Sequence, residues 1–358
     1  MRITWLILVA LSHPAFADEK AKSNTLTPKE IAGGTVLLFD GETAFGWTIK
    51  GSMSVKEGIL VVGGEEATSL RHSARFGDFS CVLSFSTDNK NWSTGRLGYD
   101  SDMEKSGLNF KDKQVLGDSG ASLEAKGEGK GPWEIAITIP ARKTIYIKSL
   151  KLRPYEVLSL FNGTDLSGWK VYHPAKAVNA DPKAKAVYVK SKYTVTKEGW
   201  LNVKDGPGDL QTEGQWADFV AQFECISNGK HLNSGLFFRA IPDQYQQGYE
   251  AQIRNEWEGD DRTKPVDFGT GAIYRRQKAR KVISTDGEWF TMTVAAHGRH
   301  IATWVNGYQT VDWIDDRKEN DNARNGFKKG KGALSIQGHD PTTDLSFRNI
   351  RIQSLDPK

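Results

Sequence analysis

Along most of the chain, apolar and polar positions alternate in short segments rich in aromatic and β-branched residues. Phe219 to Ile226, Leu236 to Ala240, Tyr249 to Arg254, Phe290 to Ala296, Ile301 to Val305 and Leu334 to Gln337 have this form. Each is bounded by Gly, Asn or Asp, the residues that tolerate tight turns. Asn306-Gly307 joins Trp304-Val305 to Tyr308–Val311 and predicts a two-residue hairpin, because both residues accept positive φ. No long stretch with a helical period of 3.6 competes. The pattern predicts an all-β fold, an antiparallel β-sandwich or jelly roll.

The pattern occurs twice. Leu38-Phe-Asp-Gly-Glu-Thr-Ala-Phe-Gly-Trp47 returns as Leu160-Phe-Asn-Gly-Thr-Asp-Leu-Ser-Gly-Trp169, with five of ten positions identical. Trp133-Glu-Ile-Ala-Ile-Thr-Ile answers Trp289-Phe-Thr-Met-Thr-Val, and each copy closes on a similar strand near Leu150 or Ile350. The boundary falls near Pro154, giving a reduced accessory module over 35–154 and a full one over 156–356. From Trp47 to Leu150 is 103 residues, against 181 from Trp169 to Ile350. The first copy therefore lacks the segment richest in chemistry.

Before the modules, Arg2, the apolar run Ile3–Leu11 and Ala15-Phe16-Ala17 read as a signal peptide over 1–17 with cleavage after Ala17. Residues 18–34 read as a linker. The expectation is an exported protein, periplasmic or secreted, without a membrane span. Its 48 basic and 44 acidic side chains nearly cancel, which argues against a nucleic-acid partner. Cys81 and Cys225 are expected as separate buried thiols, and no zinc or EF-hand spacing is present. No metal and no cofactor is expected.

Strand alternation sorts the second module into faces. Glu250, Gln252 and Arg254 oppose Tyr249, Ala251 and Ile253. Ser335, Gln337 and His339 oppose Leu334 and Ile336. Asn233, Gly235, Phe237 and Arg239 oppose Ser234, Leu236 and Phe238. Three polar faces with a carboxylate, a guanidinium, an imidazole and several amides would line a common site on the concave side if the strands are neighbours. Tyr274, and Trp257 in the charged loop 255–262, are candidate stacking platforms. Tyr249, Trp169, Trp216, Trp289 and Trp304 read as core. His297 and His300 read as surface residues of a hairpin turn. Arg275-Arg-Gln-Lys-Ala-Arg-Lys281 carries five cations in seven positions, a solvated loop that could flank the cleft and attract anions.

The segment 160–169 resembles the 3-keto-disaccharide hydrolase family. The resemblance continues through Asn233-Ser-Gly-Leu-Phe-Phe-Arg239, Gly248-Tyr-Glu-Ala-Gln-Ile253, Thr270-Gly-Ala-Ile-Tyr274, Gly287-Glu-Trp289, Trp304-Val-Asn-Gly307, Gln337-Gly-His339 and Phe347-Arg-Asn-Ile-Arg-Ile352. It covers 156–356, and the first module keeps only its opening and closing segments. The resemblance implies a concanavalin A-like jelly roll acting on glycosides oxidised at C3, after a glycoside-oxidising oxidoreductase. The chain departs from the family at Arg254-Asn255-Glu256, where members often carry an acidic residue. A 3-keto group acidifies the C2 proton, so a base, an oxyanion partner and departure of the C1 substituent suffice. Glu250 or His339 is the expected base, with the other as acid or anchor. Arg239 is expected to hold the ketone or enolate oxygen, and Asn233, Gln252 and Gln337 to bind hydroxyls. A two-carboxylate glycosidase pairing Glu250 with Asp267 or Glu256 is an alternative. So are a non-catalytic carbohydrate-binding module and a sandwich-repeat surface protein.

Overall fold

A computed structural model describes residues 24–87, 96–98, 108–109, 121–127, 131–175 and 189–356. The signal-peptide expectation for 1–17 lies outside the described residues. Among them, no helix is long and apolar enough to cross a membrane.

The chain forms four antiparallel sheets, and no strand is shared across residue 154. In the first half, one sheet runs in the order Met53–Lys56, Ile59–Gly64, Lys143–Pro154, Phe79–Thr87, Ala121–Gly127, with Val36–Leu37 also on Lys143–Pro154. The other orders Trp47–Lys50, Thr68–Phe76, Trp133–Ile139, Arg96–Gly98, Leu108–Asn109. In the second half an eight-stranded sheet is centred on Phe219–Ser227, between Asp344–Ser354 and Phe290–His297. Facing it is a five-stranded sheet in the order Trp169–Tyr172, Gly208–Trp216, Gly332–Gly338, Ser234–Ala240, Tyr249–Ile253. The architecture is that of a jelly roll.

The repeated Leu-Phe-Asx-Gly…Gly-Trp motif has a mechanical cause. Asp40 Oδ1 accepts the backbone N–H groups of Glu42 and Thr43, and Asn162 Oδ1 accepts those of Thr164 and Asp165. Such a side-chain turn reverses the chain locally. Each indole N–H then donates to the motif's first carbonyl, Trp47 to Leu38 O and Trp169 to Leu160 O. The Trp anchors the turn to the core in both halves. The Asn306-Gly307 hairpin is present, with φ of 48° and 80° as a type I′ turn requires.

The halves are docked by shared burial. Trp304, fully buried, packs with Val220, Ala295 and Ala302 into the core cluster of the first half, and its indole donates to Leu37 O. Polar contacts frame this joint: Ser73 donates to Asp312 Oδ1 at 2.5 Å, Arg280 pairs with Asp40, and Gln353 donates to the carbonyls of Asp78 and Tyr155. His300 corrects an expectation. It is half-buried beside this joint, 2.6 Å from Asp312, the carboxylate that also accepts from Ser73 of the first half. The presumed linker is folded over its described part: Thr27 and Glu30 form a capping box on the helix Pro28–Ala32. Lys151 pairs with Glu30, and Gln222 donates to Gly34 O. Cys81 and Cys225 are buried and free.

Candidate functional site

The five-stranded sheet of the second half separates its side chains by register. Asp209 pairs with Gln337 and Gln211 with Ser335; Ser335 also pairs with Phe237, which pairs with Glu250; Gly235 pairs with Gln252. Antiparallel partners point to one side of a sheet, so these residues share a face. The opposite face carries Leu210, Leu236, Phe238, Tyr249, Ala251, Ile253, Leu334 and Ile336, all in the core cluster of the second half. Burial of the apolar side therefore fixes which polar groups look outward.

Over that polar face lies a cavity of about 510 Å³, within the range of small-molecule sites. Asn233, Glu250, Gln252, Gln337, His339 and Tyr274 line it, joined by Gln246, Gln247, Arg275, Arg276, Arg324 and Asn325. Glu250 is buried at its floor, with Oε2 accepting from Arg324 Nη2 at 3.2 Å. Burial pushes its carboxyl up to about 7, against the opposing pull of Arg324 and His339, while Asp267 adds repulsion. Gly235 makes room for it: a Cβ there would lie 2.9 Å from Glu250 Cγ and Oε1. Gly235→Ala is therefore expected to displace the carboxylate and reduce binding or turnover of the ligand at least tenfold, with little loss of stability. Kinetics beside a denaturant titration would check this.

His339 follows the strand Gly332–Gly338, its N–H donating to Thr343 Oγ1 and its Nδ1 2.7 Å from Asp340 Oδ2. Burial pushes the Asp340 carboxyl up, but hydrogen bonds from His339 and Thr342 outweigh it and hold it at about 2. The ionised carboxylate fixes the ring with Nδ1 as donor, leaving Nε2 for other partners. Asp209 is a second buried carboxyl, pushed up to about 7 by burial despite a hydrogen bond from Gln246 N, with Glu250 repelling it. Asp267, in a left-handed conformation, accepts from Asn233 and Gln252 and so orients both amides. Asp209 Oδ1, Gln252 Oε1 and both amide atoms of Gln337 are buried without a hydrogen-bond partner among the described residues. Buried polar groups are rarely left so. These atoms leave hydrogen-bonding capacity unused at and beneath the floor.

Arg239 is not part of this pocket. Strict alternation would put it with Asn233, Gly235 and Phe237, but its φ of 46° and a register shift between Phe237 and Ala240 rotate it to the other side. There it is fully buried, donating to Ala217 O, Lys328 O, Gly298 O and Asp218 Oδ1. The guanidinium beside Glu250 belongs to Arg324, in the loop before Gly332–Gly338, held by Gln246 O and lying over the Phe237 ring. Trp257 does not line the pocket either. It pairs with Pro265 as an isolated bridge, and the Arg262 guanidinium stacks 4.1 Å from its ring. Glu256, half of one proposed carboxylate pair, is engaged by Arg254 and lies 3.3 Å from His231. Of the aromatic candidates, Tyr274 lines the cavity, with Phe268 edge-on at 5.3 Å. Tyr249 is core, its hydroxyl donating to Asp315. Asp209 and Gln211 carry the same alternation signal, around Leu210, as the strands singled out from sequence. Arg324 lies in an aperiodic loop and carries none.

A family model described as a 3-keto-alpha-glucoside-1,2-lyase-like domain matches residues 156–353. No protein of curated function matches the chain. Among solved structures, the chain is similar to a candidate glycosyl hydrolase from Parabacteroides distasonis, with 20% identity and a TM-score of 0.41 over 55% of this chain and 93% of that one. It is also similar to a Bacillus subtilis carbohydrate-binding module of family 66, with 15% identity and a TM-score of 0.36 over 52% and 96%. A Bacillus licheniformis β-glucanase gives 12% identity and a TM-score of 0.37 over 55% and 97%.

Proposed function

The chain belongs to the 3-keto-alpha-glucoside-1,2-lyase-like family, and from that premise we propose that it cleaves 3-keto glycosides by elimination followed by addition of water. The observation that carries the reading is the buried Glu250 carboxyl beside Arg324 and His339 on a floor of unpartnered amides. Family membership supports a carbohydrate ligand. The elimination chemistry rests on the pocket.

In this reading the substrate's hydroxyls meet Gln337, Gln252 and Asn233, with Tyr274 against a C–H face of the sugar. The Glu250 carboxylate takes the C2 proton, whose acidity comes from the adjacent ketone. Arg324, a permanent cation, balances the negative charge gathering on the C3 oxygen. The electron pair then forms the C1–C2 double bond as the C1–O bond breaks, and the departing oxygen takes a proton from His339, which Asp340 orients. Water adds across the new double bond to give net hydrolysis. The ketone would come from a glycoside-oxidising oxidoreductase acting earlier. The protein would work outside the cytoplasm, after removal of residues 1–17.

The test is incubation of the protein with 3-keto-glucosides and their unoxidised parents, following release of the aglycone. Cleavage of the keto forms alone is the expected result. Cleavage of both equally would replace elimination by a direct glycosidase route. Binding of both without turnover would support a non-catalytic carbohydrate-binding module, the reading that the amide-rich floor favours by itself.

A further inference from the structure

The mouth of the pocket carries more positive charge than the proposed chemistry uses. The segment 271–277 runs beside Tyr249–Ile253 as an added edge: Gln252 N donates to Ala272 O, Tyr274 N to Glu250 O, and Ile273 bridges both Ala251 and Gln277. It then reverses tightly, with the N–H groups of Arg276 and Gln277 both donating to Ile273 O and Arg275 at φ 57°. A left-handed arginine is strained, and such strain collects at ligand sites. The turn places Arg275 and Arg276 in the lining of the same cavity as Glu250, on a backbone pinned to Tyr249–Ile253 and closed on itself by hydrogen bonds.

Their partners are few. Of the three cations later in this run, two are matched, Arg280 with Asp40 and Lys281 with Glu42 across the joint between the halves, while Lys278 is exposed. Arg276 spends Nη2 on Arg324 O and Nη1 on Arg275 O, both carbonyls. Arg275 lies over the Tyr274 ring at 5.3 Å. Among the described residues neither meets a carboxylate at ion-pair distance. The one carboxylate lining the cavity, Glu250, is held by Arg324. The acidic groups nearby are engaged elsewhere, Asp267 by Asn233 and Gln252, Asp340 by His339 and Asp315 by Arg317, and among the described residues none forms an ion pair with Arg275 or Arg276. Neutral hydroxyls do not require this arrangement, since the amides of the floor serve them. A planar anion suits two adjacent guanidiniums, each with parallel N–H donors.

We infer that the pocket selects glycosides bearing a carboxylate, which Arg275 and Arg276 receive at its mouth. The inference rests on the reading of the pocket as a glycoside site and names the substrate class that site prefers. The carboxylate belongs to either the aglycone or C6 of the sugar, and the test separates them.

Two matched pairs serve as probes. The first is the glucoside of 4-hydroxyphenylacetic acid against that of its amide, whose methylene keeps the two phenols nearly equal as leaving groups. The second is a phenyl glucuronide against the phenyl glucoside. Turnover is measured on the 3-keto forms, and Kd by calorimetry on the unoxidised forms. At low ionic strength the charged member of one pair is expected to be preferred about tenfold in kcat/KM and in Kd. That preference should shrink with added salt and fall toward one in the Arg275→Gln/Arg276→Gln double variant. The pair that shows it locates the carboxylate. Equal kcat/KM and Kd within both pairs would overturn the inference, while turnover of the neutral keto-glucosides would leave the proposed function standing. A charged preference in Kd without turnover of any keto form would keep the anion selectivity and overturn the proposed chemistry. The wild-type comparisons decide the matter even if the double variant misfolds.

Discussion

Glu250→Gln is expected to lower kcat/KM for a 3-keto-glucoside by about 10²–10⁴-fold, the usual contribution of a positioned base. Gln keeps the shape and can still accept a hydrogen bond from Arg324, so the loss would report the missing proton acceptor rather than a collapsed pocket. The wild-type rate should rise with pH through about 7, where burial places the Glu250 carboxyl, and the variant should lose that limb. A stability measurement supplies the control. A carboxyl raised above its ordinary value of 4.5 is disfavoured in its ionised form by folding. Its contribution to stability therefore falls as pH rises from about 4.5 to about 7. In Glu250→Gln that decline should flatten, leaving the variant at least as stable as the wild type at pH 8. Full turnover by the variant would remove Glu250 from the mechanism and shift the base to His339.

Arg239→Met is expected to cost about 3 kcal/mol of folding stability, read as a fall in the denaturant midpoint at unchanged slope. Removing one partner of a buried ion pair typically costs 3–5 kcal/mol. The low end applies here because Asp218 is partly exposed and keeps the Gly298 N–H as a donor. The three carbonyls of Ala217, Gly298 and Lys328 lose their donor as well. Arg239 thus ties the Trp216–Phe219 corner, the His297–His300 turn and the loop before Gly332 to one point. Because it is remote from the cavity, folded Arg239→Met should keep the wild-type kcat/KM. An undiminished midpoint with lost activity would return this arginine to the site.

The contrast between Glu250 and Arg239 shows where alternation suffices. Glu250, Gln252, Ser335 and Gln337 sit in strands whose register is regular at those positions, so counting by two finds their common face. Arg239 lies two residues beyond Phe237 by count, yet a single left-handed residue undoes the count. An aromatic in a charged loop reads as a stacking platform, but the charge that meets Trp257 is the chain's own Arg262.

By itself, then, the sequence determined the all-β class, the repeated Trp-clamped turn, the Asn306-Gly307 hairpin, and the polar faces bearing Glu250, Gln337 and His339. These depend on local periodicity and on turn residues, whose physics acts over a few neighbours. The tertiary structure decided that Arg324 rather than Arg239 stands beside Glu250, that Asp209 lies buried beneath the same face, and that His300 sits half-buried against Asp312 at the joint between the halves. Those outcomes depend on backbone conformation at one residue, on the course of an aperiodic loop, and on which surfaces dock. No spacing along the chain encodes them.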